Sequence, residues 1–166
     1  MRFFALMPLL VLAACSEGEA PKKAESEAPA AQLTAGQWEM TTEVTKVTKR
    51  DQGEPALKMP EGSKTTTSVC IAEADVKKPQ PALFAPEGSE CTYRDVYMSS
   101  GRMNVTLACS RPGLSGNIAT SVNGSYKADS IDATAITETS LLTEGDAKIE
   151  AKLTGKRTGA CTAAAG

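Results

Sequence analysis

The sequence predicts an all-β fold: an antiparallel meander curled into a barrel-like or sandwich sheet, with one short helix and two disulfides. Three observations predict it. Apolar and polar residues alternate through several stretches of the chain, which is the period of a sheet with one buried face. Clusters of Gly, Asn, Asp and Ser separate these stretches. The chain offers no long amphipathic helix to cover the apolar face, so the sheet must curl on itself or fold over as a sandwich.

The first residues have the pattern of a lipoprotein signal peptide. An apolar run from Phe3 to Ala14 follows Arg2 and is too short for a membrane span, which needs about 20 apolar residues. The run ends in Leu-Ala-Ala followed by Cys15, the pattern of a lipobox. The sequence therefore predicts that residues 1–14 are removed and that Cys15 carries a lipid. The other interpretations are a plain signal peptide and an ordinary N-terminal strand.

The predicted lipid indicates where in the cell the protein is located. We expect a cell-envelope lipoprotein that faces the periplasm and meets the membrane through its N-terminal lipid. Ser16 stands where an Asp would favour retention in the inner membrane, so the outer membrane is the expected location. Residues 15–34 are rich in Ala, Glu, Pro, Lys and Ser and predict the lipidated cysteine and a disordered tether. Residues 35–162 are expected to form a single β-domain, and residues 163–166 a flexible C-terminus.

The first half of the domain is expected to contain two strands, a short helix and two loops. In the first strand Trp38, Met40 and Val44 alternate with polar residues. Leu83 and Phe84 lie in a proline-rich loop and are expected to plug the sheet. In chain order these elements are a strand over Gln37–Lys49, a loop over Gln52–Ser63, a strand over Thr65–Ile71, a helical turn over Ala72–Lys78 and the proline-rich loop.

A hairpin is expected between Cys91 and Cys109, with a three-residue loop at Ser99–Gly101. If Met98 lies opposite Arg102, Cys91 lies opposite Cys109. The apolar face then carries three further residues of the first strand, which are Tyr93, Asp95 and Tyr97. Cys91 and Cys109 would occupy a non-hydrogen-bonded pair, where Cα atoms approach to about 4.5 Å, within disulfide range.

Four cysteines remain once Cys15 is set aside, and they allow three pairings. The hairpin register favours Cys91 with Cys109, which leaves Cys70 with Cys161. A zinc site built from the four thiolates is the alternative, but it lacks the close Cys-x-x-Cys spacing of such sites and lies in an oxidising compartment.

Two more hairpins complete the expected sheet. The first turns across Lys127–Ser130 instead of at Asn123-Gly124, because only that register places Tyr126 and Ile131 on one apolar face; Gly124 is then a strand glycine at a bend or bulge. The second turns at Thr143–Gly145. It carries the apolar face on to Ala147, Ile149, Ala151 and Leu153.

The pattern resembles a known family. The residues that carry the resemblance are Gly36–Glu39 at the first strand, Val69–Ile71, the hairpin of Cys91 and Cys109, and a closing segment from Gly155 to Cys161. Together they resemble an uncharacterised bacterial exported or lipoprotein family, the domain of unknown function thirty-six seventeen. The resemblance implies an exported or lipid-anchored β-domain with paired cysteines, and it implies no activity, cofactor or catalytic residue.

The composition excludes several kinds of chemistry. The chain has no histidine, so Ser-His-Asp and Cys-His arrangements and histidine metal sites are absent. With its cysteines lipidated or bridged, no thiol nucleophile is expected either. We therefore expect no enzyme, no catalytic residue, no metal and no cofactor. A formal net charge of −2 and the lack of a basic patch argue against nucleic acid as a partner.

Two functions fit these expectations. The first is a protein-interaction or structural lipoprotein that meets an unknown envelope protein. The second is a periplasmic carrier or sensor that binds a small apolar or amphipathic ligand inside the curled sheet. Tyr93, Asp95 and Tyr97 would form the polar end of such a ligand pocket. Asp95 could equally be solvated near the mouth of the hairpin or bound to a tyrosine hydroxyl. A cavity of several hundred Å³ would favour the carrier, and a filled core the interaction protein.

Overall fold

A computed structural model describes residues 32–161. They form one antiparallel seven-stranded sheet curled into a half-barrel, with the strand order β2-β1-β7-β6-β5-β4-β3. The strands are β1 (Gly36–Lys49), β2 (Lys64–Ile71), β3 (Glu90–Ser99), β4 (Arg102–Ser110), β5 (Gly116–Tyr126), β6 (Ser130–Leu141) and β7 (Ala147–Gly159). The predicted all-β antiparallel fold is confirmed.

Strands β3 to β7 form the predicted meander, in which each strand pairs with the next one along the chain. β1 and β2 are not paired with β3 but lie at the other side of the sheet, next to β7. β1 pairs with β7, and β2 pairs with the other side of β1. β2 and β3 are therefore the two edges of the half-barrel, and residues 72–89 connect them across its opening. This connection contains two 3₁₀ turns, Glu73–Asp75 and Pro81–Leu83. The helical turn expected over Ala72–Lys78 is thus a single short 3₁₀ turn.

The inner face of the sheet and the connection share one core. Trp38 is fully buried and donates its indole N–H to the carbonyl of Thr34 at 3.0 Å. Leu83 and Phe84, from the connection, are buried at 2% and 3% exposure and fill the opening as predicted. Two buried threonine hydroxyls, Thr120 and Thr137, bond to each other at 2.9 Å. The aliphatic part of the core comes mostly from Met40, Val44, Leu57, Ile71, Val105, Leu107, Ile118, Val122, Ile131, Ile149 and Leu153.

The hairpin between β5 and β6 turns across Lys127–Ser130 as predicted, with Tyr126 opposite Ile131. Gly124 lies in a regular part of the ladder, without the expected bulge. It lies so close to β6 that a Cβ at this position would come within 2.3 Å of the Asp132 carbonyl oxygen. The glycine therefore permits a close approach of two strands where the sheet curls.

The hairpin between β3 and β4 has a register that differs from the prediction. Its loop has two residues, Ser100 and Gly101, both with positive φ (50° and 76°), as in a type I′ turn. Ser99 therefore pairs with Arg102, one step away from the expected register. A bulge between Tyr93 and Asp95 then shifts the register back by one residue. The turn and the bulge compensate each other, and for this reason Cys91 still lies opposite Cys109.

Both predicted disulfides are present. Cys91 and Cys109 are bridged across β3 and β4, with their Cα atoms 4.0 Å apart. Cys70, the second-to-last residue of β2, is bridged to Cys161 in the segment that follows β7. The two bridges lie at opposite ends of the sheet, because β3 begins at the end where β2 also begins. Each end of the half-barrel is thus covalently fixed.

Candidate functional site

The predicted group of Tyr93, Asp95 and Tyr97 does not form, because the bulge in β3 changes the side to which its residues point. Tyr93 precedes the bulge and lies on the inner face, whereas Asp95 and Tyr97 follow it and are exposed. Tyr97 is 56% exposed. Val96 and Met98 take the inner positions instead and pack against the core. The expected ligand pocket around Asp95 is therefore wrong.

Tyr93 has a structural contact of its own. Its hydroxyl donates a hydrogen bond of 2.5 Å to the carbonyl oxygen of Pro79, in the connection between β2 and β3. The ammonium group of Lys78 lies 5.4 Å from the centre of its ring. Burial raises the pKa of the Tyr93 hydroxyl, so the group keeps its proton and remains a donor. Tyr93 therefore holds the connection against β3.

The inside of the half-barrel is filled. Between Phe84, the Thr120–Thr137 pair and the neighbouring strand β7, the remaining void measures about 10 Å³. A void of this size is at the lower limit of the roughly 10–15 Å³ that a single water molecule needs. This part of the interior thus leaves no room for a ligand, because the connection between β2 and β3 supplies the side chains that occupy it.

A cleft of about 120 Å³ lies instead at the open side of the half-barrel, along the N-terminal half of β2. We call it the β2 cleft. Thr65 and Thr67 form one wall, since alternate side chains of β2 point inward. The floor is apolar and includes Met40, Leu83 and Leu153. Its volume suits one aliphatic side chain, since an apolar cavity of about 150 Å³ holds a benzene molecule.

The rim of the β2 cleft carries two cations and one carboxylate, which are Lys58, Arg111 and Glu87. None of the three belongs to a salt bridge among the residues that the structure describes. Arg111 lies against the turn at Gly88, where a Cβ would come within 3.0 Å of its guanidinium. The hydrogen bond from Lys49 lowers the pKa of nearby Glu54 most, and the charge of Lys58 adds a smaller effect. The rim therefore has an excess of positive charge.

The two edges of the sheet differ in composition. β3 contains the charged residues Glu90, Arg94 and Asp95 and a bulge, which are features that discourage pairing with another strand. β2 has one charged residue, Lys64 at its start, and continues with three threonines, Ser68, Val69, Cys70 and Ile71. Its outer edge pairs with no described strand. It is thus an unprotected edge of strong strand-forming residues.

The backbone groups that β2 presents outward can be identified. Val44 donates its N–H to the carbonyl of Ser63 at 2.9 Å and accepts the N–H of Gly62 at 2.8 Å, so both backbone groups of Val44 point to the β2 side of β1. In an antiparallel pair such positions recur at every second residue. Thr65 and Thr67 therefore bond to β1, while the N–H and C=O groups of Thr66 and Ser68 point away from it. These outward groups lie beside the β2 cleft.

A second groove, of about 320 Å³, lies on the outside of the domain along residues 54–61. Pro55, Leu57 and Met59 give it an apolar surface, and it is open to solvent. A small-molecule site normally encloses 70–90% of its ligand's surface. The groove has the volume but not the enclosure of such a site.

Other chemistry finds no support in the described part of the chain. Among residues 32–161 no three His, Cys, Asp or Glu side chains are grouped closely enough to hold a metal ion. No helix within that range is long and apolar enough to cross a membrane. Cys15 and the predicted signal peptide lie outside the described residues.

The sequence does not predict the β2 cleft, because loop residues with no periodicity form much of it. The uncharged run of Thr65–Ile71 is the one signal of the cleft in the sequence.

Comparisons with known proteins give a family without a function. No curated protein and no solved structure matches the chain. One family model, described as a protein of unknown function (DUF3617), matches residues 33–161, which is nearly every residue that the structure describes. The range includes the whole sheet and both disulfides. The chain belongs to the DUF3617 family.

Proposed function

We propose that this chain is a lipid-anchored envelope protein whose β-domain binds another protein. One observation supports the interaction role over a carrier role: the two cavities lined by the inner face of the half-barrel measure only about 10 and 120 Å³. A carrier of the barrel type encloses its ligand in a cavity of roughly 300–1,000 Å³. Here Leu83 and Phe84 occupy that space. A rigid domain with two disulfides and a filled core can act on a partner only through its surface.

The lipid anchor is the second part of the proposal, and the sequence at Cys15 supports it. From Cys15 to Gln32 the chain has 18 residues, which can reach at most about 60 Å when fully extended. The chain enters the domain at the end of the sheet that holds the Cys70–Cys161 bridge. A tether with this reach would let the β2 cleft, at the opposite end of the sheet, meet a partner clear of the bilayer.

Intact-mass measurement of the full chain tests the anchor. We expect a species that begins at Cys15, carries a diacylglyceryl group and sediments with membranes. The matched control is Cys15→Ser, which should lack the lipid mass. A wild-type chain without a lipid adduct, or a chain released as a soluble protein, would contradict the proposed anchoring.

Native mass spectrometry and cross-linking test the interaction role. The full chain, released from membranes in a mild detergent, should show two disulfides and no co-purified small molecule other than detergent and its own lipid. Cross-linking in intact cells should join it to another envelope protein. A small apolar molecule bound in stoichiometric amount would instead favour the carrier, with the groove at residues 54–61 as its site.

A further inference from the structure

We propose that the outer edge of β2 binds an extended peptide as an eighth, antiparallel strand. The β2 cleft receives one aliphatic side chain of that peptide, and the rim of the cleft binds its C-terminal carboxylate. This inference rests on the proposed interaction role and names the partner's chemistry. Strand addition to an open sheet edge is a common mode of peptide recognition, in which backbone bonds give affinity and pockets give specificity.

The edge itself is suited to strand addition. Lys64, Thr66, Ser68 and Cys70 direct their N–H and C=O groups outward, at the spacing of a regular ladder. The run from Thr65 to Ile71 has no charge, no proline and no bulge toward β1. Natural sheets usually protect an exposed edge with such devices, and β3 at the other edge of this sheet has them. The contrast between the two edges singles out β2.

The cleft determines where a side chain of the added strand would lie. A residue placed opposite Thr65 or Thr67 shares their face of the sheet, so its side chain points toward the cleft. The cleft volume of about 120 Å³ and its floor of Met40, Leu83 and Leu153 fit one aliphatic side chain. A charged side chain at this position would lose its hydration against that floor. The cleft thus selects Val, Leu or Ile.

The direction of the added strand follows from the position of the cations. β2 begins at the end of the sheet where Lys58 and Arg111 lie, and it runs away from them. A strand antiparallel to β2 therefore ends near Lys58 and Arg111. The rim carries two cations against the single carboxylate of Glu87, so it complements a terminal carboxylate. Charge-assisted hydrogen bonds of this kind are about twice as strong as neutral ones.

A peptide mixture tests the proposal without knowledge of the natural partner. The probe is a set of eight-residue peptides randomised over Val, Ile, Leu, Thr, Ser and Ala, synthesised once with free carboxyl ends and once amidated. Full-length protein is immobilised, and the retained peptides are quantified by mass spectrometry. We expect the free acids to be retained at least tenfold over the amides, with Val, Leu or Ile enriched near the C-terminus.

Two variants and their controls locate the site. Ser68→Pro removes one outward N–H without touching the β1–β2 ladder and should abolish retention, whereas Ser68→Ala keeps the amide and should retain the peptides. Lys58→Ala with Arg111→Ala should remove the preference for free acids. The charge-matched control is Lys127→Ala with Lys156→Ala, at the other end of the sheet.

Each alternative result has a defined meaning. Equal retention of acids and amides, or unchanged retention by a folded Ser68→Pro variant, would overturn the inference. A dimer in sedimentation that Ser68→Pro dissociates would also overturn it, since the occupant of the edge would then be a second copy of the chain. If the cross-links to envelope proteins persist in Ser68→Pro cells, the interaction role stands and only the site at β2 is wrong.

Discussion

The hydroxyls of Thr120 and Thr137 form a closed pair inside the sheet, and replacing either one with valine should cost more than replacing both. The residues are 1% and 4% exposed, and their oxygens lie 2.9 Å apart. Thr120→Val keeps the shape of the side chain but leaves the Thr137 hydroxyl buried without this partner. Such a loss costs about 1–3 kcal/mol, whereas replacing both partners with apolar groups of the same shape is nearly neutral.

Thermal unfolding by circular dichroism measures this difference. For a domain of this size, about 1 kcal/mol corresponds to about 4 °C in Tm. Each single valine variant should therefore unfold about 4–12 °C below the wild type, and the double variant within about 4 °C of it. The double-mutant cycle should give a coupling energy of at least about 1 kcal/mol.

Thr134→Val is the matched control, since Thr134 lies on β6 with its side chain exposed, and this change should leave Tm nearly unaltered. The reasoning would be refuted if the double variant lost the sum of the two single losses. It would also be refuted if neither single change lowered Tm, because the orphaned hydroxyl would then have found another acceptor.

Three further changes test the elements that hold the sheet together. Cys91→Ser with Cys109→Ser should lower Tm by about 12 °C under non-reducing conditions, because a bridge that closes an 18-residue loop contributes about 3 kcal/mol in the chain-entropy model. Under reducing conditions the variant and the wild type should have the same Tm. Asp51→Asn should lower Tm at neutral pH, since the Asp51 carboxylate accepts the N–H groups of Asp146, Gly145 and Gly53. These hydrogen bonds, above all the one from the Asp146 N–H, lower the pKa of Asp51 below 3.8, so the stability that the carboxylate gives is present above that pH and is lost as the pH falls through the lowered pKa. The fall of Tm at acidic pH should therefore be less steep in the variant. An unchanged fall would argue against this role of Asp51. Gly124→Ala should prevent accumulation of soluble protein, because its Cβ would lie 2.3 Å from the Asp132 carbonyl oxygen; normal yield with an unaltered Tm would show that β5 and β6 can separate there.

The sequence predicts the sheet well where one face is continuously buried. The alternation around Trp38 and the choice of the Lys127–Ser130 turn over Asn123-Gly124 both follow from keeping apolar side chains on one side, and both are confirmed. The same reasoning places Cys91 opposite Cys109, although the path between them differs. Burial is a strong constraint because a one-residue slip would expose a whole face.

The site could not be predicted in the same way. The β3 bulge lies next to Arg94 and Asp95, two polar residues on a half-exposed edge, where alternation has no buried side to enforce. The prediction that Asp95 and Tyr97 face inward failed there. Lys58 and Arg111 reach the β2 cleft from loops, and no periodicity relates them to β2. The pairing of β1 with β7 joins positions as distant as Gln37 and Gly159, which local patterns do not encode.

The strand order has a consequence for how the chain could be rearranged. Written as β3-β4-β5-β6-β7-β1-β2, the sheet is an uninterrupted meander that has been rotated cyclically. A circular permutant that joins residue 161 to residue 32 and opens the chain between Lys77 and Lys78 would make every neighbouring strand consecutive. In the natural order, the pairing of β1 with β7 joins the first and last strands to be synthesised, so it cannot form until β7 is complete. Non-local pairing of this kind slows folding, so one side of strand β1 stays unpaired until the last strand of the domain is available.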